Sequence, residues 1–352
     1  MNILTAKRLP YFLDRYGSLD AALEQISETA LREAGIRADS VLRALNRLEE
    51  FDADTHAKIL KKRGITLITC EDESYPDLLR QIEDRPIFLY CRGDLTILRE
   101  PCIALVGARD MTDYGKRVTQ HIVAPLVRAG CITVSGLAMG IDAEVARETL
   151  RVGGKTVGIV GHGLGTMYPK AHERLADDLV AAGGLILSEF PLDTLPDIFT
   201  FPARNRIIAG LSLGTVVLQA AEGSGSLITA DLALDYNRDV FAIPGQIFDP
   251  MYAGCHNLLT RGTAKLVTDA SQILIELGMG HAVSASPSAL QAFTSDSPEE
   301  KAVWAALSSM PAAMDELVVR AKLESSVINA TLTILELQGV VRNVGGGQWV
   351  RT

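Results

Sequence analysis

The stretch CIALVG (102–107) leads through an amphipathic segment over 112–129 into a second apolar run, CITVSG (131–136). A short run of Val, Ile, Leu and Ala without polar alternation is typical of a strand buried on both faces. The same alternation of apolar runs and helical segments repeats downstream. The later runs are KTVGIVG (155–161), GLILSE (184–189), GTVVLQA (214–220) and DVFAIPG (239–245). The pattern predicts an α/β fold with a Rossmann-like parallel sheet that helices cover on both faces.

The regions on either side of this sheet have a different composition and periodicity. Apolar residues before position 60 recur at helical spacing, with Gly17 and Gly35 between the segments, which predicts short helices. The runs GITLIT (64–69) and PIFLYCRG (86–93) predict two further strands. Near the C-terminus, three predicted helices precede two short strands around a glycine turn, the order of a winged helix. We therefore expect a small helical domain over 1–60, the Rossmann-like domain over 61–277, a Ser-, Ala- and Pro-rich linker over 278–298 and a winged-helix module over 299–352.

Composition limits the classes of protein to which the chain can belong. With 47% hydrophobic and 22% charged residues, it is similar to globular proteins and unlike disordered or fibrous ones. No apolar run reaches the roughly 18 residues that a membrane-spanning helix needs, and the early charges of the N-terminus do not fit a signal peptide. The five cysteines are scattered without a CxxC pair, so we expect neither a disulfide framework nor a zinc ribbon, and a reducing, cytoplasmic location.

Glycine-rich loops follow the predicted strands at the edge of the sheet where open α/β folds bind ligands. Glycines let a backbone approach a ligand closely, and helix N-termini offer free N–H groups to anions. Because the net charge is −9 and no large segment is basic, a nucleic-acid site must be a local groove of this kind and not a charged tail. The candidate binding residues of these loops are Arg109, Ser135, Gly136, Lys170, Ser224, Gly225 and Ser226.

The segment FPARNRIIAGLS (201–212) is the most specific feature of the chain. Phe201 is suited to stack on a base, as aromatic side chains do in proteins that bind single strands. Arg204 and Arg206, on either side of Asn205, are suited to hold phosphates. The alternative is a core helix whose Ile and Leu side chains face the interior while both arginines pair with acids. Both descriptions can apply to the same helix.

A dinucleotide cofactor site would lack its required parts. The loop Gly107-Ala108-Arg109 has no second glycine, and no acidic residue ends the next strand to hold a ribose. The histidines show no HExxH or paired metal spacing, and the run 223–226 only approximates a GxSxG nucleophile elbow. Helix capping, or anion binding at a helix N-terminus, explains its serines better. We therefore expect no cofactor, no metal site and no catalytic residue.

Seven motifs, in the same order along the chain, resemble those of the DprA/Smf family of DNA-processing proteins. FPARNRIIAGLS (201–212) together with SGSLITADLA (224–233) is the most specific pair. The other motifs are VGARD (106–110), SGLAMGIDAEVA (135–146), TVGIVGHGLGTMYP (156–169), SEFP (188–191) and VFAIPG (240–245). The resemblance covers about residues 64–268. The helical N-terminus is similar to the sterile-alpha-motif-like domain of some members, and the C-terminus resembles their winged-helix module.

The resemblance implies an extended Rossmann fold that binds single-stranded DNA without catalysis. It also implies a homodimer formed through this domain, loading of the recombinase RecA onto incoming DNA in natural transformation, and opposition to single-strand-binding protein. By motif, Arg109 would contact a phosphate, the segment 201–206 would line the DNA pocket, and Ser135 and Gly136 would lie beside it. The chain departs from the family's usual residues at Arg147, Gln219 and Thr263.

Two other functions stay open at this point. Glycine-serine loops on this fold also resemble those of nucleoside-monophosphate phosphoribohydrolases, for which Glu189 or Glu222 would be the catalytic acid. An adaptor that acts through its end domains is the other alternative, although it would leave the segment 201–206 unexplained. The predicted recognition helix of the winged helix, about 324–338, has no Lys or Arg, which favours a protein contact over duplex DNA.

Overall fold

The computed structural model describes residues 5–280, 295, 297–308 and 311–351. Contacts within the chain define two compact units, Met1–Ser286 and Pro287–Thr352. Most of the predicted linker over 278–298 lies outside the described residues. None of the described helices combines the length and the apolar character that crossing a membrane requires.

A nine-stranded sheet forms the centre of the first unit. Its strands are β1 (Ile65–Thr69), β2 (Phe88–Gly93), β3 (Cys102–Gly107), β4 (Ile132–Ser135), β5 (Thr156–Ile159), β6 (Leu185–Ser188), β7 (Gly214–Gln219), β8 (Asp239–Ala242) and β9 (Lys265–Leu266). Their order in the sheet is β1-β2-β6-β5-β4-β3-β7-β8-β9. In this spatial order, all strands from β6 through β5, β4, β3, β7 and β8 to β9 are parallel. The antiparallel pair β1–β2 extends the sheet beyond β6, with β2 antiparallel to β6. The predicted α/β fold with a mostly parallel sheet is confirmed.

Thirteen described α-helices belong to the first unit. They are α1 (Leu9–Tyr16), α2 (Leu19–Glu24), α3 (Glu28–Glu33), α4 (Ala38–Glu50), α5 (Ala53–Lys62), α6 (Asp77–Arg80), α7 (Asp113–Arg128), α8 (Ile141–Arg151), α9 (Glu173–Ala181), α10 (Thr200–Leu211), α11 (Gly225–Asp235), α12 (Ala253–Thr260) and α13 (Ala270–Glu276). The bounds of α7 agree with the amphipathic segment predicted over 112–129. Thr112 begins α7 as its N-cap, and its hydroxyl accepts the N–H of Gly115.

Burial on both faces explains why the central strands are apolar throughout. Within β3, Ala104 and Val106 pack into one hydrophobic cluster, while Ile103 and Leu105 pack into a second. Because successive side chains of a strand point to opposite faces, these two clusters lie on the two sides of the sheet. β3 pairs with β4 on one side and with β7 on the other, so the strand order reverses there. Loops at the carboxyl ends of these strands therefore border the crevice where such sheets bind ligands.

The helices α1 to α4 have a small core of their own, in which Phe12, Leu31 and Val41 are buried. They are nevertheless continuous with the sheet domain, since Leu9 of α1 packs into the main hydrophobic cluster. The predicted helical region over 1–60 therefore forms one compact unit with the sheet. The helix α5 packs against β1 instead.

The second unit has three described helices, α14 (Pro298–Ala306), α15 (Met314–Ala321) and α16 (Ser325–Leu337). Its sheet has the order β10-β12-β11, formed by β10 (Ala312–Ala313), β11 (Val341–Gly345) and β12 (Gln348–Arg351). A separate hydrophobic core includes Ile328, Leu332 and Trp349. Three helices and a hairpin in this order confirm the predicted winged helix.

Candidate nucleic-acid interface

A small cavity of about 50 Å³ opens at the carboxyl ends of β3, β4 and β5, and we call it the strand-end pocket. Three loops form the pocket, one after each of these strands, together with the first turn of α10. Its lining residues are Arg109, Gly136, Ala138, Met139, Val160, Gly161, His162, Tyr168, Pro169 and Phe201. The structure thus brings three of the residues predicted from the sequence, Arg109, Gly136 and Phe201, into one site.

Arg109, Phe201 and Tyr168 form a continuous cation–aromatic surface at this pocket. The guanidinium carbon of Arg109 lies 5.2 Å from the centroid of the Phe201 ring, and the Tyr168 ring centroid lies 6.0 Å from that of Phe201. Arg109 is exposed and Tyr168 is 49% exposed. Arg109 has no ion pair with any described acidic residue. Such a surface can stack an unpaired base and hold the adjoining phosphate.

Gln219, at the end of β7, fixes the loop that presents Arg109. Its amide oxygen accepts hydrogen bonds from the N–H and the hydroxyl of Thr112, both at 3.1 Å, and its amide nitrogen donates to the Asp110 carbonyl at 3.2 Å. The residue is fully buried. The sequence identified Gln219 only as a departure from the family pattern, whereas its contacts give it a positioning role next to Arg109.

Arg204 lies beneath the pocket and not on its surface, which differs from the phosphate contact expected from the sequence. It is 4% exposed, and its Nη1 donates to the carbonyls of Gly136, at 2.7 Å, and Ile159. Burial lowers the pKa of Arg204 to about 10, opposed by the charge of Asp142, so the guanidinium stays charged at neutral pH. In this position the side chain connects the carboxyl end of β4 to that of β5 through hydrogen bonds.

The loop after β4 is shaped around this guanidinium. The Asp142 carboxylate accepts the backbone N–H of Gly136 at 3.0 Å and that of Ala138 at 3.5 Å. Burial raises the pKa of Asp142, while Arg204 and the two N–H groups oppose the rise. A Cβ atom on Gly136 would lie 2.4 Å from Nη1 of Arg204, so no larger residue fits there without displacing it. Ser135 is also buried, and its hydroxyl donates to the Asp142 carbonyl at 3.3 Å.

The other polar residues of α10 face different neighbours. Arg206 donates to both carboxylate oxygens of Glu189, at 2.6 and 2.5 Å. This contact agrees with the alternative from the sequence, in which an arginine of this helix pairs with an acid. Asn205 donates from its amide to the carbonyl of Gly225 at 3.3 Å, which connects α10 to the start of α11. These contacts make Arg206 and Asn205 part of the framework around the strand ends.

The serines before and within α11 act as the predicted helix cap. Ser224 is the N-cap, and its hydroxyl lies 2.8 Å from that of Ser226 and accepts the Ser226 N–H at 3.5 Å. Gly225 is exposed, so the N-terminus of α11 is open to solvent. These three residues lie after β7 and do not line the strand-end pocket.

Lys170 and His162 belong to the loop that presents Tyr168. Lys170 is exposed at the start of a short 3₁₀ turn over 170–172. His162 is buried, and its Nδ1 lies 2.9 Å from the Gly163 carbonyl while its Nε2 accepts the Tyr168 N–H at 3.2 Å. Burial lowers the pKa of His162 despite its backbone hydrogen bonds, which favours the neutral ring. A neutral ring is required here because Nε2 can accept the Tyr168 N–H only when it carries no proton.

Tyr168, Met139 and His162 line the pocket but were not among the residues predicted from the sequence. An aromatic residue in a loop after a buried strand was the available signal for Tyr168, and the sequence offered no comparable signal for the other two. The potential catalytic acids lie elsewhere, since neither Glu189 nor Glu222 is part of the pocket lining.

Comparisons with known proteins agree with this architecture. Residues 66–278 match the family model for DNA recombination-mediator protein A, and residues 284–347 match the DprA winged helix domain. The DNA processing protein DprA of Bacillus subtilis is 42% identical over 218 residues, which are 62% of this chain and 73% of that protein. Its counterpart in Streptococcus pneumoniae is 44% identical over 205 residues, 58% of this chain and 72% of that protein.

Two solved structures are similar to the chain. DNA processing protein A from Streptococcus pneumoniae has a TM-score of 0.67 at 37% identity, covering 78% of this chain and 93% of its own. DNA processing protein A from Helicobacter pylori, which binds single-stranded DNA, has a TM-score of 0.55 at 30% identity and covers 60% of this chain and 95% of its own. With the family model matched over the whole sheet domain, the chain belongs to the DNA recombination-mediator protein A family.

Proposed function

We propose that the strand-end pocket binds single-stranded DNA and that the protein acts on that DNA without catalysis. The observation on which this rests is the surface formed by Arg109, Phe201 and Tyr168, in which a cation and two rings lie side by side. An aromatic face can stack a base of any sequence, while an exposed guanidinium can neutralise a phosphate. Lys170 and the open N-terminus of α11 add further contacts for phosphates.

A preference for single strands follows from the small size of the pocket and from the rings beside it. Its volume of about 50 Å³ admits the edge of a base or a phosphate, and the rings beside it need a base that is not stacked in a duplex. The relative from Helicobacter pylori binds single-stranded DNA, which supports the same ligand here. The buried contacts of Arg204 with Gly136 and Ile159 would hold this surface in shape before DNA arrives.

Fluorescence anisotropy with labelled single-stranded and duplex oligonucleotides at two salt concentrations tests this proposal. Arg109→Ala should weaken single-strand binding and lower the slope of log K against log salt by about 0.7, the value for one phosphate contact on a single strand. Arg128→Ala is the matched control. Arg128 is also exposed, but it lies at the C-terminal end of α7, which leads into the amino end of β4 and not to its carboxyl end. Equal binding by both variants would show that the site is misplaced.

The wider role that fits this site is that of a recombination mediator in natural transformation. In that role the protein would protect incoming DNA, load the recombinase RecA and act against single-strand-binding protein in the cytoplasm. The five free, buried cysteines support a reducing compartment. A strand-exchange assay with RecA and single-strand-binding protein would test the role, since Arg109→Ala should lose stimulation that Arg128→Ala retains.

A homodimer through the Rossmann-like domain is also part of this proposal. β9 is an edge strand of the sheet, with Leu266 56% exposed, and Ile275 of the following helix α13 is 60% exposed. An apolar edge of this kind is typical of a surface that a partner covers. Light scattering of wild type and of Leu266→Asp/Ile275→Asp would test it, since only the variant should be monomeric.

A phosphoribohydrolase remains the competing function, and the contacts of its candidate acids count against it. Glu189 is 9% exposed and holds Arg206, while Glu222 is exposed in a loop that does not line the pocket. Neither is placed to protonate a leaving base at the strand-end pocket. Release of free base from nucleoside monophosphates by the wild type, lost in Glu189→Gln or Glu222→Gln, would favour the enzyme.

A further inference from the structure

A second and much larger cavity, of about 960 Å³, lies between the N-terminal helices and the sheet domain, and we call it the helix–sheet groove. One wall comes from α4 and α5, and the other comes from the segment 189–194 and the first turns of α10. Both walls belong to the same compact unit. The strand-end pocket does not use this groove, and its lining residues are distinct from those of the pocket.

We propose that the helix–sheet groove binds a further stretch of the same single-stranded DNA that enters the strand-end pocket. This inference rests on the proposed function of that pocket and extends it to a second binding segment. The ligand is therefore a longer single strand, whose sugar–phosphate backbone and unpaired bases both find matching groups in the groove.

Unneutralised positive charge in the groove is the first observation in favour of this ligand. Arg47 and Arg63 line it and are exposed, and neither has an ion pair with a described acidic residue. Arg63 donates to the Gly165 carbonyl at 3.1 Å, so its guanidinium is held at the groove wall with donors to spare. Glu189, which Arg206 holds, and Asp193 also line the groove, so its three arginines outnumber its two carboxylates in a chain of net charge −9.

Aromatic side chains at the groove are the second observation. Phe88 and Phe190 line it and are half-buried, so each ring is partly accessible. Arg206 lines the groove as well, with Nη2 held by Glu189. The two rings offer apolar faces on which unpaired bases can stack.

Continuity with the strand-end pocket is the third observation. The first turn of α10 separates the two sites, with Phe201 lining the pocket and Thr200 lining the groove. Two backbone hydrogen bonds also lie between the pocket loop and the groove. The N–H of Gly163 donates to the Thr194 carbonyl and that of Gly165 to the Leu192 carbonyl, each at 2.9 Å. The loop leading into α10 exposes Phe199 at 77%. A single strand that passes over this loop would therefore run from one site into the other.

The ligands of the test are oligothymidylates of about 4 and about 16 nucleotides, the limits of the site sizes found in single-strand-binding domains. The test variant is Arg47→Ala/Arg63→Ala. The control is Arg43→Ala/Lys62→Ala, which removes the same charge from α4 and from the C-terminal end of α5, at exposed positions outside the groove. Circular dichroism of both variants would verify that the helices are retained. Binding is measured by anisotropy over a salt series with fluorescein-labelled strands.

The test variant should bind the long strand about tenfold more weakly than the control and bind the short strand equally well. Its salt slope on the long strand should fall by about 0.7 for each phosphate contact removed. If both variants bind the long strand alike, the groove holds no DNA and a protein segment becomes its better occupant. A loss of equal size on both strands would also overturn the proposal, because the arginines would then act at the strand-end pocket. Absence of single-strand binding by the wild type would instead refute the proposed function itself.

Discussion

Replacing Arg204 with methionine distinguishes a guanidinium that frames the pocket from one that contacts DNA. The side chain is 4% exposed and donates to the carbonyls of Gly136 and Ile159. Methionine is of similar length, but it leaves both carbonyls without this donor and Asp142 without the opposing charge. Leaving a buried acceptor without its partner costs about 1–3 kcal/mol. With two such carbonyls, and with the opposing charge removed from a carboxyl whose pKa burial already raises, we expect a loss of about 3 kcal/mol of unfolding free energy.

Urea unfolding followed by far-ultraviolet circular dichroism measures this loss. Tryptophan fluorescence is unsuitable, because Trp304 and Trp349 both lie in the second unit and would not report on the sheet domain. The companion variant Arg109→Ala alters an exposed side chain and should change the unfolding free energy by no more than about 0.5 kcal/mol. On single-stranded DNA the pattern should reverse, with Arg109→Ala lowering the salt slope by about 0.7 and Arg204→Met leaving it unchanged.

An Arg204→Met protein that unfolds within about 0.5 kcal/mol of wild type, yet loses salt dependence as Arg109→Ala does, would refute the framing role. Arg204 would then reach a phosphate directly, as the sequence pattern alone predicts.

Three further predictions concern the rings, the buried histidine and the winged helix. Phe201→Leu should weaken single-strand binding by about 1–3 kcal/mol in an anisotropy titration, the usual contribution of one stacked base, and unchanged affinity would exclude stacking there. Because burial lowers the pKa of His162, the unfolded chain takes up a proton below about pH 6.5 while the folded protein resists it, so stability should fall as the pH drops through that region. His162→Asn should lose less stability over the same interval in thermal unfolding, and parallel curves would contradict this origin. The isolated second unit, whose helix Ser325–Leu337 has no Lys or Arg and exposes Ile334 and Leu337, should not shift duplex DNA in a gel, whereas tight, salt-sensitive binding would argue against a protein-contact role.

Local sequence was sufficient to predict most of the sheet domain. The run CIALVG became β3 over Cys102–Gly107, and GTVVLQA became β7 over Gly214–Gln219. Continuous apolar runs are informative because a strand buried on both faces has no polar face to disguise it. The two-residue strand β9 was not predicted, since Lys265 and Leu266 are both exposed and too few to show any periodicity.

The position of the candidate site could also be predicted, because loops at the carboxyl ends of parallel strands must meet at one edge of the sheet. Arg109 and Phe201 were expected there and lie 5.2 Å apart, from guanidinium carbon to ring centroid. Their distance along the chain did not matter, since the topology of the strands alone brings their loops together.

The division of labour among the arginines depended on the tertiary structure. Arg204 and Arg206 are two residues apart on one helix, yet one donates to strand-end carbonyls in the interior and the other holds Glu189. The acceptors of Arg204 lie 68 and 45 residues away in sequence. Periodicity reports which face of a helix is apolar, but a polar side chain's burial and partners are set by distant segments that fold against it. Whether an arginine faces a phosphate or a backbone carbonyl is therefore decided only when those segments are in place.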